Sequence, residues 1–311
     1  MRESEMAEPA EFNPKYGAPV TLAPGLRRIV ARNPSPMTER GTNTYLIGTR
    51  EIAVIDPGPD DPAHLQAILA ALMPDQRISH ILVTHAHRDH SPLARALSRA
   101  VEAPVHAYGD AIAGRSAVMR QLADTGDIGG GEGVDAGFSP HHTLADGETL
   151  SNGDWRITAH WTPGHFGNHL AFEWDGLVFT GDLVMGWASS LVSPPDGDLT
   201  DFMASCGKLQ KLDAKVFHPG HGAPVPDPAA RLDWLIHHRR SREASILQAL
   251  EQGPATARQL AERIYTDTPA ALMPAAERNV LAHLIDLYGK ARARPLAPLS
   301  AAAAFALSPP G

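Results

Sequence analysis

Cysteine is nearly absent, since Cys206 stands alone in 311 residues. An internal disulfide is therefore excluded, and so is a metal site built on thiolates. Any metal has to be held by histidine and carboxylate. Long apolar runs are missing too. No window approaches the roughly 20 apolar residues that a membrane-spanning helix needs. The opening stretch, MRESEMAEPAEFNPKYGAPV, has neither the apolar core of a secretory signal nor the basic character of a transit peptide. The expectation is a cytoplasmic protein with no membrane partner. Positive charge is also in short supply. A formal net charge of −8 argues against binding nucleic acid over the whole surface, though not against a local basic patch.

What is present suits a globular chain, with 43% hydrophobic and 20% charged residues over a length that fits one large domain, or a large and a small one. From Leu26 short apolar runs are bounded by turn residues. Strands are expected at 27–30, 44–47, 52–55, 78–84 and 104–107, with helices at 61–73 and 92–100 between them. A glycine-rich stretch at 126–137 reads as a surface loop. A second set of strands is expected at 148–150, 155–160, 170–174, 177–180 and 216–218, with a helix at 201–212. Asp-Gly in EWDGLVF is a strong hairpin signal. Two such halves predict two sheets packed face to face with helices outside. Beyond about Pro228 the pattern turns helical, at 230–250, 256–264 and 275–288. The domain reading is an N-terminal tail at 1–25, a catalytic domain at 26–227, a helical domain at 228–295 and a C-terminal tail at 296–311. Leu247, Leu250, Leu260, Ile264, Leu281, Leu284 and Leu287 recur at helical spacing, enough for a small separable core bordering the catalytic cleft.

The strongest chemical signal is HAHRDH at 85–90, directly after the buried run ILVT. It sets His85, His87, Asp89 and His90 within six residues. His85 and His87 point the same way in an extended segment. A turn then aims Asp89 and His90 at a neighbouring point, about 3.5 Å away in two-metal sites. Three further candidate ligands stand in similar contexts: His165 in TPGHFGNH, Asp182 in VFTGD and His221 in HPGHG. Each ends an apolar strand beside a glycine, which lets backbones approach closely. Among the other histidines, His169 reads as a partner of a ligand, a substrate contact or a packing residue. Asp56 reads as a carboxylate that orients a ligand histidine, or as a simple turn residue. His141 and His142 are expected to be solvated, His160 and His218 to be structural, and His237 and His238 to lie on a solvated helix face.

The order of box, TPGH turn, GD strand end and PGHG turn resembles the metallo-β-lactamase superfamily. The stretch NPSPMTERGTNTYLIG at 33–48, the Asp56-Pro-Gly turn and the helical C-terminal region narrow the resemblance to the lactamase-beta-two-like group, over roughly residues 26–295. The resemblance implies an α/β fold, an αββα four-layer sandwich followed by a small winged-helix-like domain. Carried over by position, His85, His87 and His165 would hold a first metal. Asp89, His90 and His221 would hold a second, with Asp182 bridging. Two divalent ions are implied, zinc first, with manganese or iron also open. They would share a water that ionises near neutral pH and attacks a carbonyl or phosphorus, with Asp89 or Asp182 handling its proton. His87 speaks against diiron oxygen-reducing relatives, which carry glutamate there. Persulfide-oxidising iron relatives share the box and stay as a minor alternative.

Fold and box leave the substrate open. One expectation is a binuclear metal-dependent hydrolase of a small ester, thioester or lactone, whose helical domain shapes the pocket or makes a homodimer contact. The alternative is a single-stranded RNA endonuclease of the lactamase-beta-two type. Ten basic against seven acidic residues between Arg231 and Arg294 leave that segment mildly basic. Arg239, Arg240, Arg242, Arg292 and Arg294 are its candidate phosphate contacts. A noncatalytic binding module sits badly with seven ligands in place, and the lack of a secretion signal speaks against periplasmic antibiotic resistance.

Overall fold

The computed structural model describes residues 12–126 and 133–309. Val20–Ala23 (β1), Leu26–Val30 (β2), Asn43–Ile47 (β3) and Glu51–Ile55 (β4) form an antiparallel meander. Pro62–Ala70 (α1) starts where the Asp61 side chain accepts the Ala63 N–H and proline takes the first turn. It crosses to Arg77–Leu82 (β5), parallel to β4. Leu93–Val101 (α2), Val105–Ala107 (β6), Ala117–Thr125 (α3) and His142–Thr143 (β7) complete a seven-stranded sheet in the order β1 to β7. Half of the glycine-rich loop, 127–132, lies outside the described residues.

The second sheet holds Thr149–Ser151 (β8), Arg156–Trp161 (β9), Leu170–Trp174 (β10) and Leu177–Gly181 (β11). Leu199–Leu209 (α4) then leads to Val216–Pro219 (β12), which pairs parallel with β11. Asp175 and Gly176 both take positive φ, 52° and 77°, as the expected two-residue hairpin between β10 and β11 requires.

Side-chain alternation makes the layers. In β4, Ile52 and Val54 face Ile68 of α1 and Leu97 of α2. Their neighbours Ala53 and Ile55 meet Phe172 and Phe179 of the other sheet. On the far side Ala171 and Val178 pack on Phe202 and Leu209 of α4. Leu232 and Leu235 of Pro228–Leu250 (α5) join that cluster. The result is the expected helix–sheet–sheet–helix sandwich. Among the described residues no helix is long and apolar enough to cross a membrane.

After α5 come Ala255–Thr256 (β13), Ala257–Ile264 (α6), Met273–Gly289 (α7), Ala293–Pro295 (β14) and Ala304–Leu307 (β15). The Thr256 and Gln259 side chains close a reciprocal capping box at the start of α6. Two stretches read as tails carry structure: β1 lies within 1–25, and β15 is the central strand of the third sheet, β13-β15-β14. Non-local pairing creates β15, which its own short run does not announce.

All seven apolar positions expected in the C-terminal core meet there, but Met119 and Leu122 of α3 belong to the same cluster. Ala282 of α7 in turn sits in the sandwich core. The helical unit and the sandwich thus share apolar contacts across their boundary. Phe305 of β15 is fully buried in this shared core. Phe305→Ala should cost about 3–5 kcal/mol of stability, measured by urea unfolding. A loss below about 1 kcal/mol would contradict β15 as a core strand.

Candidate metal centre

All seven candidate ligands leave the C-terminal end of a strand, and the fold brings them together. His85, His87, His165 and Asp182 place one ligand atom each within 4.8 Å of one another. Asp89, His90, Asp182 and His221 do the same, with Asp182 common to both groups. His85 Nε2 lies 2.8 Å from His87 Nδ1, which lies 3.1 Å from His165 Nε2. In the second group His221 Nε2 is 3.1 Å from Asp89 Oδ2 and 3.3 Å from Asp182 Oδ2. His90 Nε2 is 3.5 Å from Asp182 Oδ1.

The outer nitrogens decide what the inner ones can do. His165 Nδ1 donates to the Leu191 carbonyl at 2.7 Å, and His221 Nδ1 donates to the Gly41 carbonyl at 3.1 Å. His90 Nδ1 donates to Asp56 Oδ2 at 2.8 Å. Thr84 spends its one hydroxyl proton on the same Asp56 oxygen, so its oxygen accepts from His85 Nδ1 at 2.9 Å. In four rings Nδ1 therefore carries a proton, and Nε2 faces inward. With His87 Nδ1, five ring nitrogens and two carboxylates share one buried space, and protons or metal cations must sit among them. Asp182 Oδ1 is itself buried without a hydrogen-bond partner. The donor set, all nitrogen and oxygen, fits divalent metal of the zinc type.

Proton affinities follow the same division. Burial holds His85 well below its ordinary value, with the imidazoles of His90, His87 and His165 adding to the effect. Burial pushes His87 down to about 3 and lowers His165 as well. Burial acts downward on His90 too, but Asp89, Asp182 and Asp56 outweigh it and hold His90 well above its ordinary value. His221 is raised against burial to about 9, chiefly by Asp182.

Glycine allows the close approach. A Cβ on Gly220 would stand 2.5 Å from Asp182 Oδ1 and 2.6 Å from His90 Cε1. The stretch at 33–48 proves to be a clamp on the His221 turn. Asn43 Nδ2 donates to the carbonyls of Pro219 and Gly222, and Tyr45 Oη donates to that of Pro219. Asp56 orients His90 directly and His85 through Thr84. His169 is fully buried behind His85, their ring centroids 5.3 Å apart, so it is no substrate contact. His141 and His142 are exposed. His218 is buried beside Phe179, and His160 is half-buried on Glu173.

Three contributors escape a reading of the sequence. Thr84 stands just before the box, with Asp56 its partner 28 residues away. Asn168, between His165 and His169, accepts the Ala86 N–H inside the box at 3.2 Å and donates to Asp110 O at 2.9 Å. A polar residue between two buried histidines was its only signal. Arg239, expected as a phosphate contact, is 2% exposed and donates to the Ser189 carbonyl and Asn279 Oδ1. It falls on the apolar stripe of α5, four residues after Leu235 and seven before Ile246. Its side chain is therefore committed to the interior.

A family model described as the metallo-beta-lactamase superfamily matches residues 37–221, and one described as a beta-lactamase associated winged helix domain matches 256–294. A beta-lactamase-like protein 2 homolog of Drosophila melanogaster is 29% identical over 282 residues, 88% of this chain and 91% of that protein. The homolog of Caenorhabditis elegans is 30% identical over 269 residues, 83% of this chain and 82% of its own. An atrochrysone carboxyl ACP thioesterase of Aspergillus fumigatus is 29% identical over 266 residues, 80% of this chain and 76% of that one. Among solved structures, a metallo-beta-lactamase family protein from Thermus thermophilus superposes with a TM-score of 0.74 at 26% identity. It covers 92% of this chain and 100% of its own.

A raised imidazole must lose its proton before its nitrogen can take a cation. His221 is raised to about 9 and His90 is raised too, so the sign is fixed: affinity of the second group rises with pH through the neutral and mildly alkaline range. Competition with a chelator should show at least about a tenfold gain per pH unit between pH 7 and 9. A flat profile there would contradict the protonation pattern.

Proposed function

The chain belongs to the metallo-beta-lactamase superfamily and is a hydrolase, and we propose that it cleaves a small-molecule ester or thioester at a centre of two divalent ions. His85, His87 and His165 would hold one ion, Asp89, His90 and His221 the other, with Asp182 shared. When bound, such a pair, zinc first among the candidates, supplies Lewis acidity and a water acidified toward neutral pH. The chain's own groups do the rest. Nδ1 hydrogen bonds to Asp56, Thr84, Leu191 and Gly41 lock four imidazoles in place before substrate arrives. Asp182 is enclosed, with a side chain 9% exposed, whereas that of Asp89 is 26% exposed toward the cleft. Asp89 is thus placed to take a proton and hand it on.

One observation carries the substrate class. A cleft of about 780 Å³ opens on His87, Asp89, His165 and Asp182, a size suited to a small ligand. Its wall includes Met37, Met185 and Leu191 from the sandwich and Leu272 and Pro274 from the helical unit. That surface suits an acyl chain. Arg88 and Arg278 line the same cleft and suit an anionic substituent, such as the phosphate of a thioester carrier. The thioesterase name of the fungal relative supports the same class.

The arginines expected to meet RNA are differently employed. Arg239 is buried, Arg292 lies 2.6 Å from Glu243, and Arg242 sits 4.7 Å over the Tyr265 ring. Only Arg240 and Arg294 of the five are left as exposed candidates for phosphate, too few for a polyanion track.

A panel of acyl thioesters, p-nitrophenyl esters, lactones, nitrocefin and single-stranded RNA, run on metal-analysed protein, tests this reading. Turnover is expected on thioesters or esters and none on RNA. RNA cleavage without ester turnover would replace the proposal by the nuclease. Asp182→Ala should drop turnover below about a tenth of wild type while the circular dichroism spectrum stays that of folded protein. Higher residual turnover would remove Asp182 from its bridging role.

A further inference from the structure

The segment from Asp182 to Leu191 joins a shared carboxylate to the carbonyl that orients His165, and it contributes Met185 and Leu191 to the cleft wall. It has no helix or strand of its own, so its carbonyls need donors from elsewhere. Helix α5 supplies them. Arg231 donates from Nε to Met185 O and from Nη2 to Ala188 O, both at 2.7 Å. Arg239 donates from Nη2 to Ser189 O at 3.1 Å and to Ser190 O. Both arginines are buried, 6% and 2% exposed. Arg239 Nη1 also donates to Asn279 Oδ1 of α7 at 3.0 Å, and the Val192 N–H donates to the same oxygen at 3.1 Å. Ser190 Oγ closes the loop on itself by donating to Leu183 O.

We propose that Arg239 and Asn279 are positioning residues for the metal centre, a latch through which the C-terminal helical unit sets the orientation of His165 and so the affinity for one of the two ions. The proposal rests on the two-ion reading above. Its geometry is a short chain of bonds. Asn279 fixes the peptide of Val192, that peptide contains the Leu191 carbonyl, and the carbonyl receives the His165 Nδ1 proton at 2.7 Å. Arg239 holds the residue just before. If either grip is lost the carbonyl swings, and the His165 lone pair leaves the line it shares with His85, His87 and Asp182. The imidazoles of the second group are oriented outside the latch, since His90 is held by Asp56 and His221 by Gly41. A guanidinium of this kind suits the task because one planar group satisfies several carbonyls in fixed directions.

Zinc alone is the probe, titrated into metal-free protein against a competing chelator to give two stepwise constants. Wild type should take two ions. Asn279→Leu, at a half-buried position, and Arg239→Met should weaken one constant by about 10- to 100-fold, as loss of a ligand's outer partner does. The other constant should stay within about twofold. The visible spectrum of the cobalt-substituted protein should change for one ion only. Asn279→Asp, which keeps the acceptor oxygen, should restore wild-type behaviour, and Arg292→Ala, far from the loop, should leave both constants alone. Unchanged constants in Asn279→Leu and Arg239→Met, or equal loss of both, would overturn the latch while the two-ion centre stands. Wild type that takes up no zinc would overturn the metal-centre reading and the latch with it.

Discussion

Electrostatic repulsion inside the cluster is the constraint on which the rest depends. Five imidazole nitrogens and two carboxylates are aimed at one largely buried space. Every one of them could relax by turning away, and the surroundings prevent it. Asp56 fixes His90 and, through Thr84, His85; backbone carbonyls fix His165 and His221. Asp182 has nowhere to retreat, because Gly220 brings a second backbone against it. The sandwich sets the strand ends that make this possible, since two sheets can present several C-terminal ends along one edge without either sheet being interrupted. A cation bound there would relieve this crowding, and histidine and carboxylate suffice to hold it in a chain with one buried cysteine.

That arrangement extends past the sandwich. The loop after Asp182 carries both a hydrogen-bond acceptor for a candidate ligand and part of the cleft wall, yet its carbonyls are satisfied by arginines of α5. Substrate pocket, ligand orientation and domain packing thus share one small set of residues. A helical unit that merely decorated the catalytic domain would leave those carbonyls to water. Here their donors are arginine side chains from the far side of the interface.

The side-chain ligands were legible because they are side chains. HAHRDH after ILVT, and three Gly-flanked strand ends, named all seven residues the fold gathers. The four layers were legible too, from apolar runs whose two faces are both buried, as in Ile52 to Ile55. What stayed hidden are backbone partners. Leu191 and Gly41 act through carbonyls, and a carbonyl leaves no mark in a sequence. Arg239 looked like part of a basic, solvated run, HHRR, although its place on the stripe of Leu232, Leu235 and Ile246 marked it as interior. Strand β15 depends on Pro295 and on the far more distant Ala255, both paired with Phe305, so its local pattern AFAL said little. Helix α3 carried a readable start, Ser116 capping the Met119 N–H, but its packing partner lies in the other unit.

Met119 and Leu122 bear on how molecules enter and leave. Because α3 is sunk into the core it shares with α6 and α7, swinging the two units apart would bare both side chains at about 1.5–3 kcal/mol each. A wide-open form would then be populated by no more than about one molecule in a hundred. The helical unit's side of the cleft, Leu272 and Pro274, is thereby held against the sandwich. Adjustment in that wall is left to side chains, since Met37, Met185 and Leu272 can shift by a rotamer while the packed backbones behind them stay in place.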